Sequence, residues 1–157
     1  MYYLKILLSL ILIANLAVKV ISANDTLESY RITNDGINHP LKYKIGNKSR
    51  GRALVAGRKA NCLACHMAPI TEEKFQGNFG PDLRNVGNRL SQAEIRLKLI
   101  DPQYLNESSI MPSYYRYRGL HRVAEKYRNK TILNEQEIED IVVWLESLRD
   151  DSTAGDL

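Results

Sequence analysis

Residues 62–66 read Cys62, Leu63, Ala64, Cys65 and His66, and no other cysteine occurs in the 157 residues. Two thiols at this spacing with an imidazole directly after them are the attachment pattern of a c-type haem, in which the thiols form the tether and the histidine becomes an axial iron ligand. A chain tethered in this way must close around a flat macrocycle, so part of its core is not polypeptide. Three other uses of the motif compete. A zinc site needs about two more Cys or His ligands at suitable spacing, and the other histidines, His39 and His121, each stand alone. A thioredoxin-like redox pair needs an apolar strand leading into the first cysteine, whereas Ala56, Gly57, Arg58, Lys59, Ala60 and Asn61 precede it. A disulfide across so short a loop adds little stability.

The chain start points to export. Residues 1–23 carry an early Lys5, an apolar run from Ile6 to Ala14 broken by Ser9, a continuation from Leu16 to Ile21, and the small pair Ser22 and Ala23. This is a secretory signal pattern, with cleavage expected after Ala23. A retained anchor is the alternative, although the stretch is short for the ~20 residues a spanning helix needs, and Asn15 and Lys19 interrupt it. Because c-type haem is attached outside the cytoplasmic membrane, the signal and the motif support each other. The expected destination is the periplasm, with no stable membrane span after cleavage.

Loss of Lys5 and Lys19 leaves 20 basic and 18 acidic side chains, nearly neutral, so the basic pI says little about nucleic acid as a partner. The remaining 134 residues suit one domain. Residues 24–49 are polar, contain Gly36, Pro40 and Gly46, and lack periodicity, so they read as an irregular arm that lies over the domain or reaches a partner. His39 precedes Pro40 in this arm and reads as a solvated loop residue. The four Asn-x-Ser/Thr triplets, at Asn24, Asn47, Asn106 and Asn129, match a motif frequent by chance and receive no role. The domain proper is expected over 50–149, followed by a tail, 150–157.

Within the domain the periodicity is helical. A helix opened by Gly51 runs through Ala53, Leu54 and Val55 toward the cysteines. Ser91 with Glu94 fits a capping box ahead of a short amphipathic helix that stops at Asp101 and Pro102. Asn134 with Glu137 starts the clearest helix, in which Ile138, Ile141, Val142, Leu145 and Leu148 form an apolar stripe. Glu135, Glu139, Asp140 and Glu146 are expected on or near its polar face, and Trp144 reads as a packing aromatic at a helix crossing. No run alternates like a strand. The expectation is an all-α single domain whose long loops wrap one covalent haem.

A sixth iron ligand has few candidates. Met67 follows His66 directly and is tied to the same side of the iron. Met111 is 45 residues beyond His66, in the run Ser109, Ile110, Met111, Pro112, Ser113, and Pro112 steers it away from helix. Its soft thioether suits haem iron and raises the reduction potential. A buried core role for Met111 is one alternative, and His121 as the ligand is another.

The CxxCH, the string Gly80, Pro81, Asp82, Leu83, the Met111–Pro112 pair and the closing amphipathic helix together resemble class I cytochromes c. That resemblance implies that the Pro81 carbonyl accepts a hydrogen bond from the ring of His66. Arg84 departs from the small or polar residues common at its position, leaving open a propionate partner or a solvated side chain. A narrower likeness covers about residues 51–148. The run from Gly77 to Leu83, and Ile110 to Tyr115 followed by Gly119 and Leu120, are similar to the SoxX family, the monohaem subunits of SoxAX cytochromes of thiosulfate oxidation.

The likeness implies a heterodimer with a SoxA-like subunit, whose own haem joins thiosulfate to a cysteine of the carrier SoxYZ. The chain would be the redox subunit of an L-cysteine S-thiosulfotransferase, with one haem c held by Cys62, Cys65, His66 and Met111. It would have no catalytic residue of its own and would pass electrons to a small periplasmic cytochrome. A free-standing periplasmic electron carrier is the alternative, and a haem enzyme or gas sensor would require that Met111 not ligate. The run from Tyr114 to Lys130, with Tyr114, Tyr115, Tyr117 and Tyr127 among Arg116, Arg118, Arg122, Lys126 and Arg128, is either a solvated face or the docking surface.

Overall fold

The computed structural model describes residues 30–33 and 36–150. The expected signal, residues 1–23, and the tail beyond residue 150 lie outside the described residues. Among the described residues five α-helices follow in chain order: α1 (Lys48–Ala56), α2 (Val86–Arg89), α3 (Gln92–Ile100), α4 (Pro102–Leu105) and α5 (Glu135–Glu146). Short 3-10 turns lie at Leu41–Tyr43, Cys62–Ala64 and Glu125–Tyr127. Among the described residues an isolated bridge, Thr33 to Gly36, is the extent of strand pairing, so the domain is all-α with long connections.

Side chains start the helices where the pattern predicts. Asn134 accepts a bond from the Glu137 N–H at 2.9 Å and the Glu137 carboxylate accepts the Asn134 N–H at 2.8 Å, which satisfies two otherwise orphaned donors of α5. Ser91 and Glu94 do the same for α3. Helix α1 begins before Gly51, at Lys48, because Asn47 caps it by accepting from the Arg50 N–H.

Gly51 has another use. A Cβ there would lie 2.0 Å from the Asp140 carbonyl oxygen and 2.8 Å from Trp144 Cβ, so α1 and α5 cross nearly backbone to backbone. Trp144 is buried at this crossing, the packing role expected of it. Ile138, Ile141, Val142 and Leu145 carry the buried stripe of α5 against Val55 of α1 and Ile95, Leu99 and Ile100 of α3.

One expectation needs correction. Glu139 and Asp140 do not sit on a polar face, since each is 1% exposed. Each is buried because an arginine reaches it: Arg96 meets Glu139, and Arg50 meets Asp140 with two bonds of 2.6 and 2.8 Å. The described part of the 24–49 arm lies over the domain. Ile37 and Leu41 enter the core, Ile37 donates its N–H to the Ala93 carbonyl at 3.1 Å, and Leu41 donates to Glu139 at 2.9 Å.

Candidate haem site

The cysteine motif forms one tight turn. Asn61 adopts a left-handed conformation (φ 52°) and turns the chain into it, and the Cys65 and His66 N–H groups both donate to the Cys62 carbonyl, at 3.1 and 3.0 Å. Residues 77–83 then run alongside. Gly77 donates to Leu63, Gly80 to Cys65 and Leu83 to Met67, at 2.7–2.8 Å. Gln76 closes the intervening loop, its oxygen accepting from the Ala68 N–H at 2.6 Å while its amide nitrogen donates to the Ile70 and Glu73 carbonyls.

This clasp fixes the imidazole. His66 Nδ1 lies 2.6 Å from the Pro81 carbonyl oxygen. A carbonyl only accepts, so Nδ1 must carry the proton, leaving Nε2 with the lone pair a metal would take. Gly80 lies on the ring itself, for a Cβ there would be 2.4 Å from His66 Cε1 and 2.6 Å from Nδ1. No other residue type fits without moving the ring.

A cavity of about 680 Å³ opens at this turn, and Cys62, Cys65, His66, Pro81 and Met111 all line it. The five residues singled out from the sequence therefore meet at one place. Its volume lies within the roughly 300–1,000 Å³ of cofactor sites, and its walls are mostly apolar, with Leu83, Val86, Ile95 and Leu99 among them. Met67 is exposed and does not line it, nor do His39 and His121, which are both solvent-facing. Arg84 is also absent from the wall, because its guanidinium pairs with Asp82. Asp82 is held below the usual carboxylate range chiefly by that hydrogen bond. Arg89 and Lys98 are the basic side chains that do line the cavity.

The residues fit a tethered macrocycle better than the competing chemistries. Burial pushes the Cys62 thiol up to about 11, the environment of a structural cysteine rather than of a reactive one. Among the described residues no group of three or more Cys, His, Asp or Glu side chains is placed to hold a metal ion.

Tyr114 and Tyr115 depart from the surface role weighed for them. They are 5% and 2% exposed, and their hydroxyls donate to the Ala60 carbonyl and to Glu135, both at 2.8 Å. Tyr114 is part of the cavity wall. Arg116 is half-buried, with Nε 2.9 Å from Asp101. Gln103, whose amide nitrogen donates to the Ser109 and Met111 carbonyls, is not singled out by the sequence, where a polar residue one position after Pro102 carries no distinguishing pattern.

Comparison with known proteins bears on the family and the fold. The cytochrome c family model matches residues 49–149. Cytochrome c-550 of Bacillus subtilis (strain 168) is 44% identical over 41 residues, which are 26% of this chain and 30% of that protein's length. A chain in the crystal structure of SoxXA from P. pantotrophus is 26% identical, with a TM-score of 0.70 over 77% of this chain and 95% of that one. The match across nearly the whole helical domain, with the haem motif inside it, means that this SoxX-like chain belongs to the cytochrome c family.

Proposed function

We propose that this electron-transfer cytochrome is the SoxX-type subunit of a SoxAX complex, exported to the periplasm and carrying one haem c. The observation that carries the reading is the single cavity lined by Cys62, Cys65, His66 and Met111. There Cys62 and Cys65 would tether the haem, and His66 and Met111 would hold its iron. A haem held by two protein ligands supplies one-electron transfer when bound and has no open position for substrate. The chain's own residues then keep the site ready. The Pro81 carbonyl holds the His66 tautomer, Gly80 leaves room for the ring, and the apolar wall excludes water.

In this role the chemistry on sulfur belongs to the SoxA-like partner. Joining thiosulfate to a SoxYZ cysteine forms a sulfur–sulfur bond and releases one proton and two electrons. This chain receives the electrons one at a time and passes them to a small periplasmic cytochrome. The likeness to a chain of SoxXA supports the partner.

The test begins with the native protein from a periplasmic extract. The expected result is copurification with a second, SoxA-like cytochrome and a mass increase of one haem that survives acid–acetone extraction. Isolation of the haem-bearing chain alone at every ionic strength would favour the free-standing carrier. Colourless protein from a host competent in c-haem maturation would sink the site assignment.

A further inference from the structure

Met111 sits in a loop without helix or strand pairing, yet that loop is gripped from one side by a single residue. Gln103, on α4, donates through Nε2 to the Ser109 carbonyl at 3.0 Å and to the Met111 carbonyl at 2.9 Å. Its Oε1 accepts from the Ser113 hydroxyl at 2.7 Å and from an Arg116 Nη at 3.0 Å. The direction of the amide is dictated by its partners. Carbonyls only accept and a guanidinium only donates, so a flipped amide would lose three of the four bonds.

The grip is itself anchored. Pro102 is buried at the first position of α4, Arg116 lies against Asp101, and the Tyr114 N–H donates to the Leu99 carbonyl at 2.9 Å. Ser109, Met111 and Ser113 are thus each held by Gln103, and residue 114 is held by α3. A thioether is a weak, neutral ligand, so its hold on iron depends on how far the polypeptide restrains it from leaving.

We propose that Gln103 is a positioning residue that keeps the Met111 side chain at the haem site, acting through the backbone on both sides of it. The inference rests on the reading of Met111 as the distal ligand. A chain lacking this clamp gives up Met111 more readily to a competing ligand, because less loop order is lost when the thioether swings away.

The experiment uses the haem-loaded full chain and exogenous imidazole as the competing ligand, followed by loss of the ferric sulfur-to-iron charge-transfer band. Gln103→Ala removes the whole grip. Gln103→Glu removes the two donors to the loop while retaining the acceptor for Ser113 and Arg116. Both are expected to bind imidazole about tenfold more tightly than wild type, the scale set by two ordinary hydrogen bonds. Gly51→Ala, which strains the remote helix crossing, serves as the stability control and is expected to leave imidazole affinity within about twofold of wild type. Both Gln103 variants remaining within about twofold of wild type, while Met111→Ala abolishes the band, would overturn the clamp and leave the ligand assignment standing. Retention of the band in Met111→Ala would overturn the ligand assignment and the clamp with it.

Discussion

Arg96 and Glu139 meet as a bidentate ion pair in the interior, each guanidinium–carboxylate contact 2.8 Å long and the two side chains 1% and 2% exposed. A further Arg96 nitrogen donates to the Ile37 carbonyl at 2.6 Å, and Glu139 accepts the Leu41 N–H. One pair therefore ties α3, α5 and the N-terminal arm together. Ile95, Lys98 and Leu99 of the same α3 line the haem cavity, so the pair also secures that wall.

Breaking such a pair leaves a buried charge without a partner, which costs about 3–5 kcal/mol, whereas replacing both partners by apolar residues is often near neutral. Arg96→Met is expected to lose stability on that scale, and Arg96→Met with Glu139→Leu to regain only part of it, because the Ile37 carbonyl and the Leu41 N–H lose their partners. Urea unfolding of the four proteins of the cycle decides this. Additive losses in the double variant would show that the two side chains do not depend on each other.

Asp140 gives the domain an acid limit. Burial works to raise its pKa, but the Arg50 guanidinium, the Gln136 amide and the Asn47 N–H together outweigh burial and hold it below the ordinary value. A carboxyl depressed in the folded state contributes stability that is complete above its unfolded pKa of ~3.9 and is lost as pH falls through the lower folded value. Asp140→Asn is expected to lower stability at neutral pH by about 1.5–3 kcal/mol, the worth of hydrogen bonds to a charged group. Its stability should also fall less steeply than wild type below pH ~4. Parallel acid limbs for the two proteins would assign that pH dependence to other carboxyls.

Much of this was legible in local pattern. The CxxCH places the tether, two capping boxes start α3 and α5, and Met111 is singled out by elimination and by Pro112. What the sequence hid depends on partners distant along the chain. Glu139 and Asp140 look like solvated charges until Arg96 and Arg50, 43 and 90 residues earlier, are brought against them. Tyr114 and Tyr115 look like surface aromatics because a run rich in basic residues follows them. Their burial follows from the Ile132 and Leu133 N–H groups closing on the Tyr114 carbonyl, a contact that periodicity does not encode. Gln103 is invisible for the same reason.

Met111→Ala is expected to abolish the sulfur-to-iron charge-transfer band and lower the reduction potential, because the thioether favours the reduced metal. Met67→Leu is the control. Met67 is solvent-facing and outside the cavity wall, so its spectrum should match wild type. An unchanged spectrum in Met111→Ala would turn attention to His121 or His39, both of which would have to move from solvent to reach the site.

Gly80→Ala tests the proximal side. The added methyl group would sit 2.4 Å from the His66 ring, so the ring must turn and the 2.6 Å contact to the Pro81 carbonyl must lengthen. The expected outcome is a lower yield of haem-loaded protein and a shifted reduction potential, at a stability cost of about 1–3 kcal/mol. Wild-type yield and potential would mean that the 77–83 clasp yields instead of the imidazole.

The exposed part of the run from Tyr114 to Lys130, the candidate docking surface, is narrower than the sequence suggests. With Tyr114 and Tyr115 buried and Arg116 tied to Asp101 and Gln103, the exposed part of the run is the loop beyond them, closed at its root by the bonds to the Tyr114 carbonyl. Arg118, Arg122, Lys126, Arg128 and Lys130 are all exposed there, and Glu125 is the one acidic side chain between Arg116 and Lys130. Arg118 and Lys126 lie over the rings of Tyr117 and Tyr127, 5.4 and 4.8 Å from their centroids, which leaves an Arg- and Tyr-rich face of the kind protein interfaces favour. Reversal of both Arg118 and Arg128 to Glu is expected to slow association with an acidic redox partner about tenfold or more at low salt, with the difference shrinking as ionic strength rises. The haem spectrum should not change, since neither residue lines the cavity. Arg116 is a poor probe of the same idea, because reversing it would disrupt the Gln103 network and confuse docking with ligation. Equal association rates for wild type and the double reversal, at low and high salt, would make this loop an ordinary solvated face and direct the search for the interface to the rim of the cavity at Phe79, Leu105 and Ile110, which are exposed.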